Sequence, residues 1–189
     1  AMSAPIADAM IRSKPDLIVG LGNYDSTETL FSPIVDKIKK AKIPTIWGRG
    51  ADSDDYLTTF EQEGWEFKYE PADVIFCMLN GPNPTILEDM LKTSTAKFKI
   101  VVINAPLYSP SSKYGQDVTA QEKLAPLLAK YKVSLVLSAK NKLYYRYIPK
   151  GGPNTTSGTT FVGVGTASDK YDGAGSPNGA TKIVQGKSG

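Results

Sequence analysis

The chain has 189 residues, of which 41% are hydrophobic, and its 22 lysines and arginines against 19 aspartates and glutamates give a formal net charge of +3. This length and composition are typical of a single folded domain with a sizeable core. The small basic excess includes no basic run interleaved with aromatic residues, which argues against a nucleic-acid partner. No stretch approaches the roughly 18 to 20 apolar residues that span a bilayer, so no membrane span is expected.

Most of the chain alternates short apolar runs with amphipathic segments. The runs are typical of strands in a covered sheet and lie at residues 17–21, 43–47, 74–79, 100–103 and 133–137. Helical spacing of apolar residues predicts helices at 28–42, 85–93 and 119–132. This order of elements predicts a layered α/β domain. The last helix should present one apolar face, made of Leu124, Leu127, Leu128 and Tyr131.

Beyond residue 143 the pattern changes. Aromatic and β-branched residues at 144–148 and 159–164 flank a glycine-rich turn and predict an antiparallel pair of strands. Residues 171–189 are rich in Gly, Ser, Asn and Lys, which is typical of a flexible tail, and their only strand-like element is 182–184. The predicted organisation is therefore one domain at 1–170, followed by a tail at 171–189.

Cysteine and histidine usage limits the chemistry that this chain can perform. The single cysteine, Cys77, lies in the apolar run 74–79, so it should be a buried thiol without a disulfide partner. Because the chain has no histidine, a Ser-His-Asp hydrolase is excluded for the serines at 109, 111 and 112. An acidic cluster lacks the spacing of a calcium loop and is predicted to be a solvated turn; it consists of Asp52, Asp54 and Asp55.

Five segments resemble, in order and spacing, the calcineurin-like metallophosphoesterases, particularly their purple acid phosphatase branch. They are residues 15–24 (PDLIVGLGNY), 43–48 (IPTIWG), 101–109 (VVINAPLYS), 133–146 (VSLVLSAKNKLYYR) and 158–165 (GTTFVGVG). The resemblance implies an α/β fold in which a layered β-sheet sandwich is flanked by helices. In that family a first strand with an aspartate ligand precedes a helix like 3–14, and this strand is expected to be missing here.

The resemblance also implies a site in which carboxylates, an asparagine and histidines hold two metal ions. In this chain the matching positions carry other residues, so we expect neither a metal cofactor nor a catalytic residue. The Gly-Asn-His-Asp motif can be aligned in two registers, which put Arg49 or Ala51 at the ligand asparagine. The other altered ligand positions are Asn23 for an aspartate, Asn104 for a histidine, and Lys140 and Lys142 for the histidines of Gly-His-x-His.

Three interpretations of Lys140 and Lys142 remain open. They could be solvated loop residues, they could form an anion-binding pocket with Arg49, or they could fill the former metal cavity as structural substitutes. The corresponding functions are a non-catalytic structural or scaffolding protein that self-assembles, a module that binds a phosphorylated or anionic ligand without hydrolysing it, and a phosphoesterase with an atypical site.

The partner is predicted from the expected gap in the sheet. A missing strand would leave unpaired main-chain groups that favour pairing with another segment. That segment could be the chain's own tail at 181–185, a separate polypeptide, or the tail of a neighbouring copy, which would build a homo-oligomer or an open filament. Many purple acid phosphatases are secreted, so the resemblance also favours an extracellular setting.

Overall fold

The computed structural model describes residues 4–22, 28–49, 60–149, 158–165, 172–174 and 182–184. The helices are α1 (Ala4–Arg12), α2 (Glu28–Lys40), α3 (Pro84–Lys92) and α4 (Val118–Lys130). The strands are β1 (Ile18–Gly20), β2 (Thr45–Trp47), β3 (Phe67–Tyr69), β4 (Val74–Leu79), β5 (Phe98–Ile103), β6 (Leu135–Ser138), β7 (Tyr144–Tyr147), β8 (Thr160–Val164) and β9 (Lys182–Val184). Every predicted strand and helix within these ranges is confirmed, with ends shifted by a few residues.

The strands form two sheets. β1 and β2 pair in parallel and make a small sheet. The large sheet has the order β3-β4-β5-β6-β8-β7-β9. Its centre is parallel from β4 through β5 and β6 to β8, whereas β3, β7 and β9 pair antiparallel with their neighbours. The predicted antiparallel pair is β7 with β8, and the parallel pairing of β8 with β6 is an additional finding.

One face of the large sheet packs against helices α3 and α4. Alternate residues of the central strands point to this side and are almost fully buried. The faces of α3 and α4 that meet them are buried to the same degree. Leu127 of α4 and Tyr131, directly after α4, are partly buried against this core, on the apolar face predicted for this helix. Buried members of this core include Ile75, Cys77, Val101, Ile103, Val136 and Phe161 from the strands, and Leu87, Leu91, Leu124 and Leu128 from the helices.

The small sheet lies on the opposite face of the large sheet. Ile46 of β2 contacts Met78 and Val102 there. Helices α1 and α2 cover the outer side of the small sheet, where Ala7, Val35 and Ile38 pack with Ile18 and Trp47. The molecule is therefore built in four layers: a helix pair, the small sheet, the large sheet and a second helix pair.

Local sequence explains where the second helix pair begins. Asn83 precedes α3, its side chain accepts a hydrogen bond from the Ile86 amide at 3.2 Å, and Pro84 occupies the first turn, where no amide donor is needed. Asp117 precedes α4 and accepts from the Ala120 amide at 2.9 Å. These caps fix the two helices directly after the loops that follow β4 and β5.

Two features of the structure were not predicted. β3 was missed because it is a three-residue edge strand with an exposed Lys68, which gives no apolar run. The second is the place of the tail strand: residues 181–185 were one candidate for filling the expected gap in the sheet, and 182–184 form β9, which pairs with β7 at the edge of the large sheet. In the described part of the chain no helix is long and apolar enough to cross a bilayer.

The tail predicted at 171–189 is described only at 172–174 and 182–184, and both pieces touch the domain. Ala174 forms an isolated bridge with Ser111, and Asp172 is buried. Cys77 is a free, buried thiol, as predicted, and its burial raises its pKa to about 12. A thiol with this pKa stays protonated at neutral pH and is chemically inert.

Candidate functional site at the strand ends

Three of the altered ligand positions lie at the carboxyl ends of β5 and β6. These neighbouring parallel strands end in register, with Ile103 opposite Ser138. Asn104 follows the first strand, and Lys140 and Lys142 lie in the loop after the second. The Ala139 amide donates to the Ile103 carbonyl oxygen at 3.4 Å, which joins the two ends. The structure therefore brings Asn104 next to the loop that carries both lysines.

Arg49 occupies the corresponding end of the small sheet. It is half-buried and follows Gly48, whose amide donates to the Gly20 carbonyl oxygen at 2.7 Å. A Cβ at position 48 would lie 3.2 Å from the carbonyl oxygens of Gly20 and Leu21, a tight contact that glycine avoids. Lys140 Nζ lies near the Tyr114 ring, and the Lys142 amide donates to Asp172. Asn23, Ala51 and the cluster of Asp52, Asp54 and Asp55 lie outside the described residues.

Beneath the lysine loop, polar side chains form a buried cluster. Asn141 is 2% exposed, and its Nδ2 donates to Ser109 Oγ at 2.5 Å. The hydroxyl groups of Ser138 and Tyr145 are 2.8 Å apart. Burial raises the pKa of the Tyr145 phenol, while hydrogen bonds from Ser138, Asn141 and Ser109 lower it. These four side chains hydrogen-bond within the cluster, but one acceptor, Asn141 Oδ1, has no partner among the described residues.

Two side-chain amide oxygens at the site lack a hydrogen-bond donor. The Oδ1 atoms of Asn104 and Asn141 are both buried, and neither has a hydrogen-bond partner in the described part of the chain. An acceptor left in this state costs about 1 to 3 kcal/mol. A bound hydrogen-bond donor would satisfy either of these oxygens, whereas an anion would not.

Lys140 points to the surface. Its backbone adopts a left-handed conformation with φ of 72°, and its Nζ lies 5.8 Å from the centre of the Tyr114 ring. Lys113 Nζ lies 4.9 Å from the same ring, and its pKa is raised, first by its hydrogen bond with the Tyr114 hydroxyl. The Tyr114 side chain is 42% exposed. Two ammonium groups therefore share one accessible aromatic ring.

Lys142 is held through its backbone. Its amide donates to Asp172 Oδ2 at 2.8 Å, and the Asp172 amide donates to the Lys142 carbonyl oxygen at 3.2 Å. Nearby, the amide and hydroxyl groups of Ser112 both donate to the Gly173 carbonyl oxygen at 3.0 Å. Residues 172–174 thus tie the loop after β5 to the loop after β6. No local pattern predicts this role for Asp172, because it lies in a segment whose composition is typical of a tail.

The described ligand positions do not suit a divalent cation. Lysine ammonium groups have no lone pair to offer and add positive charge, and a neutral amide replaces an imidazole at Asn104. Within the described ranges, no group of three or more His, Cys, Asp or Glu side chains is placed to hold a metal ion. No step of metal chemistry can be derived from these residues.

A separate groove of about 390 Å³ lies between α3 and α4. Three of its charged side chains are in ion pairs: Lys92 pairs with Asp89, and Glu88 pairs with Lys130. No residue of the strand-end cluster lines it. The groove includes Pro84, Glu88, Lys92, Lys123 and Pro126 in its walls.

A scan against protein-family profiles finds no match for this chain, and a search of curated proteins finds none either. Among solved structures, the chain is similar to purple acid phosphatase PPD1 from seeds of yellow lupin (Lupinus luteus). The TM-score is 0.69 at 14% sequence identity, over 90% of this chain and 40% of the lupin enzyme. The chain thus spans well under half of that enzyme's length.

The chain is also similar to GAP50, described as the anchor in the inner membrane complex of Plasmodium. Here the TM-score is 0.58 at 15% identity, over 94% of this chain and 70% of that protein. At such identities the likeness shows the fold alone. The chain has the mixed α/β fold of purple acid phosphatases, with a sheet flanked by helices, and the fold expected from the resemblance is confirmed.

Proposed function

We propose that this chain uses the purple acid phosphatase fold as a non-catalytic structural protein. The observation that carries the proposal is the composition of the strand ends after β5 and β6. These strand ends carry Asn104, Lys140 and Lys142, which lie next to a cluster of buried polar side chains. These are not groups that could assemble a dinuclear metal site, and such a site is the basis of water activation in metal-dependent phosphoesterases.

The internal bonding of the site supports the same proposal. An active site keeps its reactive groups available to substrate, whereas here Asn141 and Ser109 bond each other and Tyr145 bonds Ser138. Lys142 is fixed by the backbone contacts with Asp172. Every one of these interactions stabilises the loops themselves, as expected of a site that contributes to the stability of the fold rather than to catalysis.

The likeness to GAP50 adds a second line of support. The fold occurs in a protein described as an anchor, so it is compatible with a structural role. For this chain we extend the proposal to scaffolding through self-association into an oligomer or filament. Light scattering coupled to size exclusion tests this extension, and a monomer at all concentrations would contradict it.

The proposal is tested by metal analysis and turnover. We expect fewer than one transition-metal ion per chain after purification in the presence of zinc, manganese and iron. We also expect no hydrolysis of p-nitrophenyl phosphate between pH 4 and pH 9, with a purple acid phosphatase as positive control. Two metal ions per chain together with turnover would overturn the proposal, and turnover without metal would establish a phosphoesterase with an atypical site.

A second candidate function is the binding of an anionic ligand without hydrolysis. Lys113 and Lys140 at the Tyr114 ring favour it, because two ammonium groups on an accessible surface can share a phosphate. Calorimetric titration with inorganic phosphate should then give heat that is lost in the Lys113→Ala, Lys140→Ala double variant. Lys97→Ala is the matched control, since Lys97 also lies over an aromatic ring, 5.5 Å from the centre of Phe98. Absence of heat in the unmodified protein would exclude this function.

A further inference from the structure

The loop between β4 and α3 contains the dipeptide Asn80-Gly81. Asparagine is one of the thermolabile residues of proteins, because the main-chain nitrogen of the next residue can attack its side-chain amide carbon. Glycine allows this attack best, since it has no Cβ to hinder the approach and can adopt a wide range of backbone angles. The reaction requires that the asparagine side chain and the following main-chain N–H are both available.

Both reacting groups are unbonded in the part of the chain that the structure describes. No hydrogen bond there involves the Asn80 side chain or the Gly81 N–H. The Gly81 carbonyl oxygen accepts from the Asn83 amide at 2.8 Å, which closes a three-residue turn and leaves the Gly81 nitrogen open. A Cβ built on Gly81 would have no atom within 4 Å. Asn80 and Gly81 are both half-buried, so water reaches them.

Two of the other described asparagines lack these conditions. Asn83 precedes Pro84, which has no main-chain N–H to react. Its side chain is also engaged as the cap of α3. Asn104 precedes Ala105, which is 3% exposed and whose methyl group hinders the attack. Neither residue combines a free side chain with a reactive neighbouring nitrogen.

Asn141 differs from Asn80 in both reacting groups. It is 2% exposed, and its Nδ2 donates to Ser109 Oγ. The nitrogen that would attack it belongs to Lys142, and this amide donates to Asp172 Oδ2 at 2.8 Å. Asn141 is therefore the internal control for the reactivity of Asn80.

We propose that Asn80-Gly81 is a site of spontaneous covalent modification in the folded protein, at which the asparagine is converted to aspartate and isoaspartate. The Gly81 nitrogen bonds to Asn80 Cγ and gives up its proton, the Cγ–Nδ2 bond breaks, and Nδ2 leaves as ammonia. Water then opens the resulting succinimide ring. Opening at one carbonyl carbon gives aspartate, and opening at the other gives isoaspartate. Water is the only co-reactant.

The modification changes the charge at the strand ends. Asn80 follows Leu79 and Asn104 follows Ile103, and Leu79 and Ile103 are partners in register. Both products carry a carboxylate in place of the neutral amide, so a negative charge appears on the strand end next to that of Asn104. The isoaspartate also adds one main-chain carbon before Asn83, the cap of α3. The proposal does not depend on the structural role proposed above.

The test is ageing of the purified full chain at 37 °C and at pH 6, 7 and 8, with unaged protein as the blank. Loss of the amide adds about one dalton to the tryptic peptide 69–92, and fragmentation distinguishes position 80 from position 83. A chymotryptic peptide, 138–143, reports on Asn141. The second Asn-Gly pair, Asn178-Gly179, lies in a separate tryptic peptide, 171–182. Labelling by isoaspartate methyltransferase identifies the isoaspartate product.

We expect the amide at position 80 to be lost at least tenfold faster than that of Asn141. The rate should rise with pH, because the attacking nitrogen has to lose its proton. Gly81→Ala should slow the reaction at least tenfold, and its fold should be kept because the added methyl group meets no atom within 4 Å. Asn80→Gln should also resist, since its longer side chain closes a larger ring more slowly. Melting temperatures confirm that both variants are folded.

A free synthetic peptide of residues 79–86 provides the rate without the fold. A rate in the folded chain within tenfold of the peptide rate, slowed by Gly81→Ala, supports the proposal. A rate more than tenfold below that of the peptide would show that the fold protects Asn80 and would overturn it. Equal rates in Gly81→Ala and in the original sequence would overturn it as well, because the glycine nitrogen would then not be the attacking group.

Discussion

At the scale of single residues, the close contact between Gly163 and Tyr145 leaves no room for a side chain at position 163. The Tyr145 side chain is 1% exposed and lies against the α-carbon of Gly163 in the neighbouring strand. A Cβ at position 163 would come within 2.2 Å of Tyr145 Cε1. The ring cannot move away freely, because its hydroxyl group is bonded within the buried cluster at the strand ends.

We therefore predict that Gly163→Ala lowers the free energy of unfolding by about 1 to 3 kcal/mol, the usual range for overpacking a core. Gly81→Ala is the matched control, because a Cβ there has no atom within 4 Å. The control should change stability by less than about 0.5 kcal/mol. Urea unfolding followed by tryptophan fluorescence measures both, and equal effects of the two changes would contradict the prediction.

The burial and contacts of individual side chains were harder to predict from the sequence than the helices and strands. The placement of Asn104 and Lys140 after neighbouring strands follows from their position behind apolar runs. In contrast, Asn141 carries no signal, because a buried asparagine and an exposed one look alike in a sequence. Gln62 is a similar case. Its side chain makes two hydrogen bonds with the backbone of Trp47, 15 residues away in the sequence, and no local pattern predicts this contact.

At the scale of elements, the amino-terminal cap of α4 illustrates how local chemistry fixes a boundary. Asp117 Oδ1 accepts from the Ala120 amide at 2.9 Å, and the Asp117 amide donates to the Pro106 carbonyl oxygen at 2.9 Å. The side chain satisfies a donor that the helix itself cannot pair. The backbone bond fixes the start of α4 to the loop that follows β5.

Asp117→Ala is expected to destabilise the protein by about 1 kcal/mol, the typical cost of losing such a cap. Asp117→Asn keeps an acceptor oxygen at the same place and should be close to neutral. Chemical denaturation of the three proteins side by side gives the comparison. If the alanine and asparagine variants were equally destabilised, lost charge rather than the lost cap would be responsible.

Strands and helices were predictable where their burial is strong. β4, β5 and β6 are continuous apolar runs because helices cover one face of the large sheet and the small sheet covers part of the other. β3 has an exposed Lys68 between Phe67 and Tyr69, so its pairing with β4 comes from tertiary contacts rather than from composition. The parallel pairing of β6 with β8 likewise joins segments that are separated in the sequence by β7, and no local pattern predicts it.

At the scale of the whole molecule, a buried thiol and two buried phenols make the free energy of unfolding depend on pH in the alkaline range. Burial raises the pKa of Cys77 to about 12, and burial also raises the pKa values of Tyr145 and Tyr108. In the unfolded chain these groups lose their protons at their ordinary pKa values, 9.0 for the thiol and 10.0 for the phenols. The unfolded state therefore binds fewer protons above pH 9, and it becomes favoured as the pH rises.

We expect the free energy of unfolding to fall progressively between pH 9 and pH 12. Cys77→Ala should be less stable than the unmodified protein at pH 7, because it leaves a small cavity, but its decline from pH 9 to pH 12 should be shallower. Urea titrations at steps of half a pH unit give both slopes. Parallel slopes would mean that the thiol is not the group responsible.

The four-layer arrangement has a consequence for how the chain opens and folds. Among the described residues, the buried core under α1 and α2 comes from residues between Ala7 and Trp65, and the buried core under α3 and α4 comes from residues between Ile75 and Phe161. A third cluster, in which Ile46, Met78 and Val102 are buried, lies between them. Each of the two larger cores is thus drawn from one contiguous stretch of sequence, which is the arrangement expected of a foldon. We expect the foldon that contains α1 and α2 to open on its own without disrupting the large sheet.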